Sequence, residues 1–177
     1  FVDRGAPGGD AAGAPAPLPW RLLYVSRPRG MRRAVENEAE VRRLFERLSA
    51  SGRARAALVD FAGEEPRFGI QDQWRLASMS DVLVGPHGAG LAWSAFMPRG
   101  RVLVELMPHM RVMDRQLCRR TDSGSRWDAT PMYAYGGLCA LLGLRHVCLL
   151  GAPPAQGPAG GGLAQELGAW HSASIRV

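Results

Sequence analysis

The stretch from Asp81 to Glu105, DVLVGPHGAGLAWSAFMPRGRVLVE, constrains the fold of this chain more than any other. Val82-Leu83-Val84 is an apolar, β-branched run too short for a helix, which predicts a buried strand. Gly85-Pro86 stops it, His87-Gly88-Ala89-Gly90 follows as a loop of small residues, and LAWSAF predicts one or two helical turns. A strand, a glycine loop and a helix start together make an anion site. The first helical N–H groups have no internal partner, the dipole favours negative charge there, and small side chains let a phosphate approach the main chain. Pro98-Arg99-Gly100 breaks the helix, and a second apolar run, Val102-Leu103-Val104, ends on the carboxylate of Glu105. Loop and carboxylate are expected at the same edge of one sheet, where open α/β folds bind ligands.

The rest of the chain repeats the alternation. Arg21 to Ser26 predicts a first strand and Ala56 to Phe61 a second, Val82 to Val84 and Val102 to Leu106 are the third and fourth, and Arg145 to Leu150 is a fifth. Between them, Val41, Leu44, Phe45 and Leu48 recur at the i, i+3, i+4, i+7 spacing of one helix face. The start of that helix is acidic and its later turns basic, as the dipole prefers, with Asn37 placed as its cap or in its first turn. Ile70 to Ala77 predicts a short helix with Ile70, Trp74 and Ala77 inward, and Met132 to Leu142 a last helix stopped by Gly143. Met107 to Pro131 has no clear period and reads as a long irregular segment. The pattern predicts an α/β domain over residues 20–150, a Rossmann-like parallel sheet with helices on both faces. Residues 1–19 read as a Gly/Ala/Pro-rich linker from something upstream, and residues 151–177 as a flexible tail with a short helix near Leu163 to Leu167.

A chain of 177 residues, 46% hydrophobic, can bury one core. Its net charge of +6 would ordinarily raise nucleic acid as a partner, but all 22 basic residues are arginine. Together with 22 glycines and 13 prolines that composition points to a GC-rich coding bias. The arginines are also scattered, with no aromatic-interleaved strip, so nucleic acid is not the expected partner, whereas smaller anions are. Cys118, Cys139 and Cys148 have neither zinc-site spacing nor that of a dense disulfide framework. No apolar stretch approaches the length that crosses a bilayer.

Three separated blocks carry a family resemblance. They are Tyr24-Val-Ser-Arg27 followed by Arg33-Ala-Val-Glu-Asn37-Glu38, then Gln73 ahead of Asp81, then VLVGPHGAGL with FMPRG and VLVEL. In combination these resemble the C-terminal, donor-binding part of glycosyltransferase family 61, over about residues 21–150, with YGGLCALLGLRHV similar to the family's closing helix and strand. The resemblance implies the C-terminal half of a GT-B architecture and inverting transfer from a nucleotide sugar, expected to be a UDP-sugar, to a glycan or glycoprotein acceptor. It also implies a type II membrane protein of the Golgi or endoplasmic reticulum lumen, whose acceptor domain and membrane anchor lie upstream. Where the family usually has a polar residue or two after Gly-Leu, this chain has Ala92-Trp93.

Departure of a nucleoside diphosphate develops negative charge on the pyrophosphate, which needs donors aimed at it. His87 and the Gly88-Ala89-Gly90 helix start are the first candidates; alternatively they form an ordinary turn with His87 satisfied in the core. Arg27 and Arg33 can each fork onto two phosphate oxygens. Asn37 and Glu38 either orient Arg33 and read the nucleotide or serve as helix cap and first-turn acid, and Gln73 either touches the nucleotide or ties loops together. Glu105 suits ribose or sugar hydroxyls, or else pairs with an arginine at the sheet edge. No catalytic base stands out: it lies in the upstream domain or the cleft, and His109 and Asp114, though of the right chemistry, read better as solvated loop residues. The sequence contains no Asp-x-Asp, so a metal-independent site without cofactor is expected, with helix dipole and arginines facing the diphosphate. Two other functions fit parts of the pattern. Gly88-x-Gly90 after a strand imitates a dinucleotide-binding oxidoreductase, but Trp93 occupies the position where helix–strand packing wants a small residue. A truncated, non-catalytic nucleotide-binding or interaction module is the other.

Overall fold

The computed structural model describes residues 18–28, 32–61, 68–108 and 134–152. The expected linker up to residue 17, the irregular segment beyond Pro108 with His109 and Asp114, and the tail after Ala152 lie outside the described residues. Five strands alternate with helices: β1 Trp20–Val25, α1 Glu38–Ala50, β2 Ala54–Val59, α2 Ile70–Met79, β3 Val82–Pro86, a 3-10 helix Ala89–Phe96, β4 Val102–Met107, α3 Ala134–Leu142 and β5 Arg145–Leu150. All four strand pairings are parallel, in the order β2-β1-β3-β4-β5. After β2 the chain crosses to the other side of β1, so the order reverses between β1 and β3. The strand ends open into a crevice at that reversal, which is where doubly wound sheets take ligands.

Side-chain alternation divides the core in two. Leu23, Val25, Leu83 and Leu103 point to one face, where they pack with Ala77 of α2, Leu91 and Met97 of the 3-10 helix, and Cys139 of α3. Tyr24 and Leu106 point to the other face, against Val35 and Phe45 of α1, with the Tyr24 and Phe45 ring centroids 5.7 Å apart. Helices therefore cover both faces, and apolar side chains on successive strand positions are buried on opposite sides.

The helices depart from expectation in informative ways. The LAWSAF segment is a 3-10 helix, and Leu91, Ser94 and Met97 are its buried residues and C-cap, three apart. Residues three apart eclipse in a 3-10 helix, so this spacing presents one row to the core. Ile70 and Trp74, expected inward, are 74% and 50% exposed, and α2 packs through Ala77 and Leu76 instead. In α1, Phe45 is buried and Leu44 is exposed. At the opposite edge from the strand ends, Asp81 is gripped by Arg21, whose Nη2 lies 3.0 Å from Oδ1, and by Arg101 at 2.6 Å. Burial pushes the Asp81 carboxyl up, but the hydrogen bonds from Arg21 and the charge of Arg101 outweigh it and hold the group below the usual carboxylate range.

Candidate functional site

The glycines of the β3 loop set the site's geometry. A Cβ on Gly85 would lie 2.9 Å from the Val25 carbonyl oxygen, and one on Gly90 would lie 3.0 Å from Val25 Cγ1, so both glycines let the loop settle on the end of β1. Gly88 adopts φ 146°, a conformation that L side chains rarely take, and a Cβ there would come within 1.9 Å of Arg27 Nη2. The guanidinium of Arg27 therefore rests directly on the Gly88 main chain, steered from its other side by a hydrogen bond from Nη1 to the Arg32 carbonyl, 3.0 Å. His87 N–H donates to the Leu106 carbonyl at 2.8 Å, which extends the β3–β4 pairing into the loop. Leu91 N–H donates to the Gly88 carbonyl at 2.9 Å, closing the first turn of the 3-10 helix. The N–H groups of Ala89 and Gly90 precede that bond and have no carbonyl within the helix to reach.

Arg33 has φ 62°, left-handed for a non-glycine residue, and its guanidinium is held below its usual range first by burial and then by repulsion from Arg27. Two like charges thus lie near one another.

Beside the arginines, Glu105 is buried at 2% exposure with both oxygens engaged. Oε1 pairs with Nδ1 of His87 and Oε2 with Nε2 of His146, the latter at 2.7 Å. Burial pushes this carboxyl up, but hydrogen bonds from His146 and His87 outweigh it, so Glu105 stays ionised and below the usual carboxylate range. An ionised carboxylate only accepts, so each facing histidine nitrogen carries a proton. Neither reading proposed from sequence anticipated this pair of imidazoles. The sheet-edge arginine considered for Glu105 is not its partner; that pairing occurs at Asp81. Tyr135 of α3 caps the cluster: its hydroxyl donates to the Gly88 carbonyl at 2.7 Å, and its ring stands edge-on to His87 with centroids 5.8 Å apart. Burial pushes the Tyr135 hydroxyl up, Glu105 adds to this, and Arg27 and Arg33 oppose it, so all three charges converge on this residue. The Cys139 thiol, free and buried, is pushed up to about 12 by burial and by Glu105. Cys148 on β5 is disulfide-bonded.

A crevice of about 340 Å³ opens at the β1/β3 reversal. Val25 to Pro28 form one wall and Pro86, Ala89, Gly90 and Leu91 the other, while Asp60, Phe61, Gln73 and Trp93 line it beyond the end of β2. Phe61 stands edge-on to Phe68 and to Trp93, with centroids 5.9 and 6.2 Å away, and Gln73 Nε2 donates to the Phe68 carbonyl at 2.9 Å.

Of the residues singled out from sequence, the structure brings Arg27, Arg33, His87, Gly88, Ala89, Gly90 and Glu105 together around the glycine loop, and Gln73 into the crevice wall. Asn37 and Glu38 do not line the crevice. Asn37 is the N-cap of α1, its carbonyl accepting from Glu40 N–H at 2.8 Å, and Glu38 pairs with Arg42 one turn on, at 2.9 Å. Sequence reasoning missed Asp60, Tyr135 and His146. Asp60 carried a signal, an acid directly after an apolar strand, whereas Tyr135 and His146 lie in a helix and strand whose apolar pattern drew attention only as packing. Among the described residues no group of three or more His, Cys, Asp or Glu is placed to hold a metal ion, and no helix is long and apolar enough to cross a membrane.

Comparison with curated protein sequences returns no match. The family model described as Glycosyltransferase 61 matches residues 10–104, more than half of the 177-residue chain, and includes β1, the Arg27–Glu38 block, Gln73 and the glycine loop. With a parallel α/β fold and converging basic groups at the end of β1, the chain belongs to glycosyltransferase family 61 and is a glycosyltransferase.

Proposed function

We propose that the crevice at the β1/β3 reversal binds the nucleoside diphosphate of a UDP-sugar, and that the domain is the donor-binding half of an inverting, GT-B type transferase. The observation that carries this reading is the Arg27 guanidinium lying against Gly88, with Arg33 held close to it. Phosphate oxygens fit against these two guanidinium groups. Arg27 and Arg33 neutralise them, the Ala89 and Gly90 N–H groups donate from the helix start, and the His87 imidazole contributes from the loop. The nucleoside extends along the crevice toward Asp60, whose carboxylate suits a ribose diol at the end of β2. Phe61 and Trp93 offer apolar surface to the base, and Gln73 holds that wall through the Phe68 carbonyl.

In transfer the acceptor hydroxyl oxygen, giving its proton to a general base, attacks the anomeric carbon from the face opposite the diphosphate as the carbon–oxygen bond to the diphosphate breaks. The arginines and the helix start meet the growing charge of the leaving diphosphate. No divalent cation is required in this account, since guanidinium and main-chain donors supply the positive field. Asn37 and Glu38 act at one remove, fixing the start of α1 next to the Arg33 turn. The acceptor, a glycan or glycoprotein, faces the crevice from a second domain, which also supplies the general base. The Cys148 disulfide supports an oxidising compartment such as the Golgi or endoplasmic reticulum lumen.

Calorimetric titration of the chain with UDP, UDP-sugars and NAD tests the reading. UDP and at least one UDP-sugar should bind, with NAD showing no heat beyond dilution. Binding of NAD without UDP would return the site to a dinucleotide fold of another chemistry.

A further inference from the structure

We propose that His146 is a positioning residue for the donor site: by donating from Nε2 to Glu105 it holds the carboxylate on His87 Nδ1, and so fixes the edge of His87 that meets the diphosphate. This rests on the donor-site reading above. The match to the family ends at Val104, so Glu105, Tyr135 and His146 all lie outside it.

Three adjacent strands build the unit. His87 follows β3, Glu105 lies on β4 paired in register with Gly85, and His146 lies on β5 paired with Leu103. A carboxylate with a single donor could rotate about its bond and release either oxygen. With Oε1 on His87 and Oε2 on His146 at 2.7 Å, rotation breaks both bonds at once. His146 is itself held, because the main chain of Gly136 in α3 packs over it: a Cβ on Gly136 would lie 3.4 Å from its Nδ1. Side-chain exposures of 18% for His146, 14% for His87 and 3% for Glu105 place the arrangement under cover, where a charge-assisted hydrogen bond keeps its strength. Among the described residues, the other titratable groups facing Glu105 are Tyr135 and Cys139 of α3, with Arg27 and Arg33 beyond Tyr135.

With Nδ1 of His87 fixed inward, the opposite edge of the ring bearing Nε2 faces away from Glu105. In its imidazolium form His87 carries a proton on Nε2 as well, and donates it to a phosphate oxygen. His146 acts through Glu105 and does not itself touch the ligand.

Two substitutions separate positioning from packing. His146→Leu keeps bulk and removes the donor; His146→Gln restores an N–H. UDP affinity is measured by calorimetry from acid to neutral pH for both and for the unaltered chain, so that ionisation of UDP itself cancels in the ratios. His146→Leu should weaken UDP by about tenfold or more near neutral pH, the loss expected for a hydrogen bond to a charged group. Its acid limb should move upward, because Glu105 loses a donor that favours its ionised form, and His146→Gln should recover both. Affinity in His146→Leu within about twofold of the unaltered chain with the acid limb unmoved, or a Gln variant no better than Leu, overturns the proposal. Nitrogen NMR of the unaltered chain gives a readout independent of variant folding. Protons on His146 Nε2 and His87 Nδ1 support the arrangement, and a bare His146 Nε2 refutes it. Absence of UDP binding by the unaltered chain would remove the donor-site reading itself, whereas binding with an insensitive His146→Leu removes this inference alone.

Discussion

Replacing Gly88 by alanine isolates the contact on which the donor site turns. The new Cβ would sit 1.9 Å from Arg27 Nη2, and ordinary contact begins at 3.4 Å, so the guanidinium must withdraw by about 1.5 Å. The Arg32 carbonyl that steers Nη1 is 3.0 Å away, and a movement of that size breaks this bond as well. Arg27 is half-buried at the crevice mouth, so it can swing outward without disturbing the core. The cost to binding is therefore the cost of losing one charge-assisted contact with the diphosphate, about 1.5–3 kcal/mol, or roughly 10- to 150-fold in the UDP dissociation constant. Alanine at φ 146° adds backbone strain of about 1–3 kcal/mol, which should appear separately as a lower urea midpoint. A double-mutant cycle with Arg27→Ala, read by calorimetry, distinguishes the two effects. If the methyl acts by displacing Arg27, the double variant should bind UDP no more weakly than the weaker single variant, to within about 0.5 kcal/mol. Fully additive losses, or a Gly88→Ala chain that is destabilised yet binds UDP normally, would refute the argument that this glycine exists to admit Arg27.

Three further outcomes follow from the same geometry. Glu105→Gln, which cannot accept from both histidines without a tautomer change, should cost about 1–3 kcal/mol in urea unfolding and also weaken UDP; a variant with unchanged UDP affinity would detach this carboxylate from the site. Asp81 is ionised and its folded pKa is depressed, so its contribution to stability is present above the ordinary carboxylate pKa and is lost as the pH falls through the depressed value. Urea midpoints should therefore decline on acidification more steeply in the unaltered chain than in Asp81→Asn, and parallel curves would argue against this assignment. Leu103→Ala, fully buried between the sheet and the 3-10 helix, should destabilise by about 2–5 kcal/mol in the same assay, and a change below about 1 kcal/mol would contradict the core described here.

The parallel sheet was legible because its central strands are short β-branched runs with punctuation on both sides, and Gly85-Pro86 and Pro98-Arg99-Gly100 leave little freedom for Val82 to Val104. The tight loop was legible for the same reason: two glycines and an alanine between strand and helix let the main chain close on the end of β1. The pattern did not reveal which face of a helix would meet the core. Ile70 and Trp74 are apolar at helical spacing and yet exposed, because α2 approaches the sheet through the small side chain of Ala77. The 3-10 helix was signalled by Leu91, Ser94 and Met97 at intervals of three, but a serine in the buried row hid that period. Asn37 and Glu38 belong to the motif by sequence and to the start of α1 by position, where Asn37 is the N-cap and Glu38 pairs with Arg42. Tyr135 and His146 were not found because their partners, Gly88 and Glu105, are distant in sequence and are brought near only by the β3-β4-β5 order.

The most direct test of the account is to map UDP onto the chain by amide NMR. The donor-site reading predicts that UDP shifts the amides of Ser26 and Arg27, of Asp60 and Phe61, and of His87 to Leu91, while Asp81 and Arg101 at the opposite sheet edge stay unmoved. Shifts concentrated around Asp81 and Arg101, or on the outer face of α2 at Gln71 to Arg75 with the glycine loop silent, would contradict it.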